Sequence, residues 1–98
     1  MTNYFDLTGK IALVTGGGRG MGREIAQAFA EHGADVIIAS RKLDVLNAAA
    51  AEIAESTGRR VVARPCHVGE WDQVTELVES VYEEFGRIDV LVNNAGMS

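Results

Sequence analysis

The chain has 98 residues, of which 47% are hydrophobic, 23% are charged and one is proline, so it can form one small globular domain and is neither disordered nor fibrous. Its formal charge of −5, with basic residues scattered among acidic ones, argues against a nucleic-acid partner. The lone Cys66 cannot form an intrachain disulfide, and neither a metal-ligand motif, a secretory leader nor an apolar run of membrane-spanning length occurs. We therefore expect a cytoplasmic protein with no metal and no membrane partner.

The first predicted unit is a strand followed by a helix. The apolar run from Lys10 to Thr15 lacks polar alternation, which is typical of a strand buried on both faces. A glycine-rich stretch then leads into a predicted helix over residues 20–32, with Gly33 as its cap. The apolar stripe of this helix comprises Ile25, Ala26, Phe29 and Ala30.

Three further strands and two further helices follow in alternation. Strands are predicted at residues 36–39, 60–64 and 88–92, the second of them ended by Pro65. A helix between the first two ends before Gly58, and its apolar stripe is Leu43, Leu46, Ala50 and Ile53. The last helix begins around residues 69–72 and ends at Gly86, with the stripe Val74, Leu77, Val78, Val81 and Phe85.

This alternation predicts the fold class. Connections of helix length join parallel strands by right-handed crossovers, so the chain is expected to form an α/β, doubly wound (Rossmann-type) parallel sheet in three layers, α/β/α. The expected strand order is 3-2-1-4, and residues 1–98 are treated as a single domain. Ligands of such sheets bind where the strand order reverses, here between the first and fourth strands.

The glycine-rich stretch between Gly16 and Gly22 is interpreted as a phosphate-binding loop. The spacing G-x-G-x-x-G fails in every frame, and the nucleoside-triphosphate pattern fails because Arg23-Glu24 replaces its lysine and hydroxyl residue. A helix that begins after such a loop offers unpaired N–H groups to an anion. The alternative is a tight strand-to-helix turn that binds no ligand.

Two motifs together resemble the short-chain dehydrogenase/reductase family. They are Thr15-Gly16-x-x-x-Gly20-x-Gly22 and Asn93-Asn94-Ala95-Gly96, each placed directly after a predicted strand. The resemblance implies an NAD(P)-binding site whose candidate residues are Gly16, Gly18, Arg19, Gly20, Met21, Gly22, Ser40, Arg41, His67, Val68, Asn94, Ala95 and Gly96. For Asn94, the alternative is a turn asparagine that bonds its own backbone.

The residues after the second strand favour NADP(H) over NAD(H). An NAD site usually has an acidic residue there to bind the ribose 2′-hydroxyl, whereas this chain has Ser40-Arg41-Lys42. Arg41 offers a planar fork of donors to a 2′-phosphate, with Ser40 and Arg19 as further donors. The alternative for Ser40 and Arg41 is a solvated pair at a helix start.

One position departs from the family. After the third strand its members usually carry Asp followed by an apolar residue near the adenine, and this chain has His67-Val68. A neutral imidazole cannot reproduce a carboxylate, which puts the adenine contact of this side chain in doubt.

The family's catalytic residues are a later Ser and a Tyr-x-x-x-Lys group, and neither occurs in these 98 residues. We therefore assign no catalytic residue and expect the chain to be the cofactor-binding part of a longer one-domain enzyme. The resemblance implies hydride transfer on an alcohol or ketone and a homo-oligomer. A non-catalytic dinucleotide-binding module or sensor is the alternative, and a methyltransferase is a weaker one because no acidic residue follows the second strand.

Overall fold

The computed structural model describes residues 6–16, 20–67 and 69–94. The four strands are β1 (Ile11–Thr15), β2 (Asp35–Ser40), β3 (Val61–Pro65) and β4 (Val90–Asn93). The three helices are α1 (Gly20–Glu31), α2 (Leu43–Thr57) and α3 (Trp71–Phe85). All strands pair in parallel in the order β3-β2-β1-β4, which confirms the predicted fold class and strand order.

The continuous apolar character of β1 follows from its central position. Ala12 and Val14 pack with α1 and α2 on one face of the sheet, whereas Ile11 and Leu13 pack with α3 on the other. Because successive strand side chains point to opposite faces, every position of β1 must be apolar when both faces are covered. The helices therefore form two outer layers around the sheet.

The predicted helical stripes agree with the observed packing except at one residue. Leu46 and Ile53 of α2 are fully buried, but Leu43 is 39% exposed. Leu43 is the first residue of α2 and follows the end of β2 by three positions, so it lies at the margin of the sheet. Its predicted place in the buried stripe is therefore wrong.

Pro65 also differs from its prediction. It is the last residue of β3 and pairs with Ser40, whereas the sequence placed the strand's end one residue earlier. Among the described strands β3 lies at an edge of the sheet, where a residue without an N–H group costs little.

β4 forms the other edge of the described sheet and pairs with β1. Its Leu91 side chain is 59% exposed. At the amino end of this pair, the Asp89 carboxylate accepts hydrogen bonds from the Ile11 N–H at 2.8 Å and from Arg87 Nε at 2.7 Å. Asp89 therefore connects the start of β1 to the residues that precede β4.

We expect Asp89→Asn to weaken the acid sensitivity of the fold. Two hydrogen bonds lower the pKa of Asp89. The one from Arg87 has the larger effect, and the one from the Ile11 N–H has the smaller. A carboxyl group with a lowered folded-state pKa stabilises the protein above its unfolded pKa of about 3.9, and this contribution disappears as the pH falls through the folded-state value. Urea unfolding between about pH 6 and pH 2.5 should show a shallower acid decline in Asp89→Asn than in the unchanged protein.

Glu79→Gln is the control for this experiment, because it removes one exposed carboxylate from the middle of α3. It should retain the acid decline of the unchanged protein. An Asp89→Asn variant with the same decline as the unchanged protein would contradict the assigned role.

Candidate functional site

The carboxyl end of β1 turns directly into the candidate phosphate loop. Gly16 has φ 71° and Gly20 has φ 63°, a backbone region that favours glycine. The Gly16 N–H donates to the Ala39 carbonyl oxygen at 2.6 Å, which ties the start of the turn to β2. α1 then begins at Gly20 and has no acidic residue in its first turn, whereas α2 and α3 have Asp44 and Asp72 there. The amino end of α1 therefore suits an anion.

Gly22 lies where the helix approaches the turn most closely. It is buried, and a Cβ atom at this position would lie 2.2 Å from the Gly16 carbonyl oxygen and 2.7 Å from Asn94 Nδ2. No real side chain tolerates these distances, so only glycine permits the first turn of α1 to pack on β1 and β4 simultaneously. The same contact places the Asn94 amide directly beside the glycine turn.

Thr15 fixes the junction between β1 and β4. Its buried hydroxyl donates to Asn93 Oδ1 at 2.9 Å and accepts from the Asn94 N–H at 3.1 Å. The Val92 carbonyl oxygen lies 3.3 Å from the same hydroxyl. Thr15 was part of the sequence motif but was not predicted as a site residue. A polar residue at the end of an otherwise apolar central strand was the available signal.

The end of β2 brings Ser40 and Arg41 next to this junction. Ser40 is half-buried and its hydroxyl accepts from the Lys42 N–H at 3.3 Å, whereas Arg41 is exposed. Each of the other arginines of the described ranges forms an ion pair with a carboxylate; these are Arg23, Arg59, Arg60, Arg64 and Arg87. Within those ranges Arg41 forms no ion pair with a carboxylate, so its guanidinium can bind an anionic ligand without first losing a carboxylate partner.

The end of β3 places His67 beside the end of β2. Ser40 pairs with Pro65, and the Cys66 N–H donates to the Ser40 carbonyl oxygen at 2.8 Å. His67 is half-buried, and its Nδ1 accepts from the Gly69 N–H at 3.1 Å. The imidazole is therefore part of the loop that leads into α3.

Cys66, the residue before His67, is not available as a reactive group. It is 2% exposed, and burial raises the pKa of its thiol. A buried thiol with a raised pKa is a poor nucleophile, so Cys66 serves as a core residue beneath the site.

The predicted site residues within the described ranges all lie at the carboxyl edge of the sheet. They are Gly16, Gly20, Met21, Gly22, Ser40, Arg41, His67 and Asn94. Met21 is 69% exposed in the first turn of α1. The other predicted residues, Gly18, Arg19, Val68, Ala95 and Gly96, lie outside the described residues. Across β4, β1, β2 and β3 in that order, the site thus presents an amide, a glycine turn with a helix start, a guanidinium and an imidazole.

This set of groups fits a dinucleotide. The helix start without acidic residues suits a diphosphate, and Arg41 one strand away suits a further anionic group. Among the described residues no three His, Cys, Asp or Glu side chains are grouped as metal ligands, and no helix there is long and apolar enough to cross a membrane.

Comparisons with known proteins agree with this geometry. The chain is 38% identical over 89 residues to a peroxisomal 2,4-dienoyl-CoA reductase of Danio rerio, covering 91% of this chain and 30% of the relative. It is 38% identical over 99 residues to an NADP-dependent mannitol dehydrogenase of Alternaria alternata, covering 98% of this chain and 37% of the relative. The chain therefore spans about a third of the length of these relatives.

Solved structures show the same relationship. L-sorbose reductase from Gluconobacter frateurii, complexed with NADPH and L-sorbose, superposes with a TM-score of 0.88 at 39% identity. The match covers 92% of this chain and 34% of that protein. The family model described as short chain dehydrogenase matches residues 10–98. The chain therefore belongs to the short-chain dehydrogenase/reductase family.

Proposed function

We propose that this chain supplies the NADP(H) site of an oxidoreductase that transfers hydride between nicotinamide and an alcohol or ketone. The observation that carries the proposal is the junction at Gly22, in the first turn of α1. A Cβ atom on this residue would lie within 3 Å of both the Gly16 carbonyl oxygen and the Asn94 amide nitrogen. This junction lies between β1 and β4, where the strand order reverses. Dinucleotides bind at such reversal points in open α/β sheets.

Each part of the site has a distinct role in this proposal. The amino end of α1 binds the diphosphate through N–H groups and its dipole, and Asn94 lines the cofactor's ribose. Arg41 and Ser40 bind the 2′-phosphate. When bound, the cofactor supplies the hydride, and the residues described here bind and orient it.

The choice of NADP(H) is supported by the chemistry at the end of β2. The side chains there are a hydroxyl and an exposed guanidinium, and no described carboxylate forms an ion pair with Arg41. A charged hydrogen bond contributes about 1.5–3 kcal/mol, or roughly one to two powers of ten in affinity. Two of the similar proteins are described with the phosphorylated cofactor: the mannitol dehydrogenase is NADP-dependent, and the L-sorbose reductase is complexed with NADPH.

We propose that the proton-transfer residues lie outside these 98 residues, that the substrate is a small alcohol or ketone, and that the protein is a homo-oligomer. A non-catalytic dinucleotide-binding module would share the cofactor site and differ in lacking turnover.

A binding titration with the full chain tests the cofactor site. Trp71 is the single tryptophan and lies at the first residue of α3, so energy transfer from Trp71 to a bound reduced nicotinamide reports binding. NADPH should bind about tenfold or more tightly than NADH. S-adenosylmethionine serves as the control ligand for a methyltransferase. Failure to bind either dinucleotide, or tighter binding of NADH, would refute the proposal.

A further inference from the structure

Two polar contacts join the neighbouring helices α1 and α2. In the first, Arg23 Nη2 donates to Glu52 Oε2 at 2.5 Å. In the second, one helical turn further along, Gln27 Nε2 donates to Ser56 Oγ at 3.0 Å. The Ser56 hydroxyl itself donates to the Ile53 carbonyl oxygen at 3.2 Å. Both interhelical contacts join residues that are 29 positions apart, so the two helices run parallel and keep one register over this length.

The buried surface between the two helices consists largely of short side chains. Ala26 and Ala30 of α1 share a buried cluster with Ala49 and Ala50 of α2. Alanine side chains allow helices to approach closely, but they form shallow ridges that resist sliding along the helix axis less than large side chains do. The two interhelical contacts therefore add a constraint on the axial position of α1 against α2.

This register places the start of α2 beyond the start of α1. Arg23 is the fourth residue of α1, whereas Glu52 is the tenth residue of α2. At a rise of about 1.5 Å per residue, the six additional residues of α2 correspond to about 9 Å of helix. The exposure of Leu43 agrees with this offset, because α1 does not extend to the first turn of α2. Arg41, which precedes α2, therefore lies beyond the amino end of α1.

The same register sets the spacing between the two proposed anion sites. The diphosphate site lies at the amino end of α1, and the 2′-phosphate site lies at Arg41, directly before α2. Each site is thus attached to one of the two helices that the interhelical contacts join. NADPH must reach both sites at once, whereas NADH has no phosphate for the second site.

We propose that Glu52 and Gln27 are positioning residues for cofactor selection, because their interhelical contacts hold α1 and α2 in the register that lets one NADPH molecule bind at both anion sites. The inference rests on the proposed dinucleotide site and extends it to residues outside the cofactor-binding set. Arg23 lies in the first turn of α1, where the helix dipole opposes a cation. The carboxylate of Glu52 offsets this repulsion, so the pair also stabilises the end of α1 at which the diphosphate binds.

The test compares the dissociation constants of NADPH and NADH, measured by calorimetry on the full chain, for the unchanged protein and the double variant Gln27→Ala/Glu52→Ala. Exposed contacts of this kind each contribute at most about fivefold. The double variant should bind NADPH about three- to tenfold more weakly and NADH nearly as before, because only NADPH depends on the spacing of the two sites. A simple charge effect has the opposite sign, since removal of a carboxylate would favour the more anionic NADPH.

Two further variants serve as controls. Glu52→Gln keeps a side-chain oxygen that can accept from Arg23, so it should retain the ratio of the two dissociation constants. Glu55→Ala removes an exposed carboxylate from the same helix and should also retain that ratio.

The ratio compares two ligands on one protein, so a partial loss of folding cancels. An unaltered or increased preference for NADPH in the double variant, or equal weakening of both cofactors, would overturn the inference and leave the cofactor site standing. Absence of binding by both dinucleotides to the unchanged protein would instead refute the proposed function itself.

Discussion

Gly22→Ala is expected to destabilise the fold and to abolish most of the cofactor affinity. The new Cβ atom would lie 2.2 Å from the Gly16 carbonyl oxygen, which cannot move freely because the Gly16 N–H is bonded to Ala39. Overpacking of this kind costs about 1–3 kcal/mol of unfolding free energy. Relief of the clash must move the glycine turn or Asn94, so NADPH affinity should fall by at least about tenfold, equivalent to roughly 1.4 kcal/mol.

Gly58→Ala is the matched control for this substitution. Gly58 has φ 72°, ends α2 and has nothing within 4 Å of a hypothetical Cβ. Alanine there should lower stability through backbone strain and leave NADPH affinity unchanged. Urea unfolding and calorimetric titration of both variants separate the two effects. Wild-type affinity in Gly22→Ala, or an equal loss of affinity in both variants, would contradict the structural role of Gly22.

Arg41→Ala is expected to weaken NADPH binding about 10- to 100-fold, because it removes a charged hydrogen-bonding fork from the proposed 2′-phosphate site. NADH lacks that phosphate, so its dissociation constant should change little. Arg41 is exposed, so the substitution should not alter folding. Parallel titrations with the two cofactors measure the difference directly.

Lys42→Ala removes the same formal charge from the adjacent, also exposed position and is the control for Arg41. If specific contacts by the guanidinium determine the preference, Lys42→Ala should have a small effect. Arg41→Lys should recover only part of the affinity, since an ammonium group lacks the planar fork. Equal weakening of NADPH and NADH by Arg41→Ala would show that the 2′-phosphate does not bind at this residue.

The fold could be predicted from the sequence because each element carries its own periodicity. β1 is apolar at every position since both its faces are covered, and α1 and α3 show their stripes at helical spacing. Leu43 is the exception. The spacing of Leu43 fits the apolar stripe of α2, but this residue lies at the margin of the sheet on which the stripe packs and is exposed. The position of that margin depends on the tertiary structure.

The candidate site was only partly predictable. The glycine spacing and the Asn-Asn-Ala-Gly sequence predicted the loops that follow β1 and β4 as parts of the site. The hydrogen bonds that Thr15 makes with Asn93 and Asn94 could not be inferred, because they join residues that are 78 and 79 positions apart in the chain. The contact between Gly69 and the His67 ring was equally inaccessible, since it depends on the side-chain rotamer and loop path rather than on spacing.

The sequence by itself determined the α/β class and the parallel sheet, since these follow from apolar periodicity and from the handedness of crossovers. The expected strand order was that of the doubly wound fold to which this alternation of elements was assigned. Only the tertiary structure decided that Gly22 must be glycine, because the atoms it would meet belong to Gly16 and Asn94 on two other segments. It likewise decided that Arg41 lacks a carboxylate partner among the described residues and that His67 Nδ1 accepts a hydrogen bond from the Gly69 N–H. Local patterns determine elements, whereas close approaches and hydrogen-bond partners depend on which distant segments the sheet brings together.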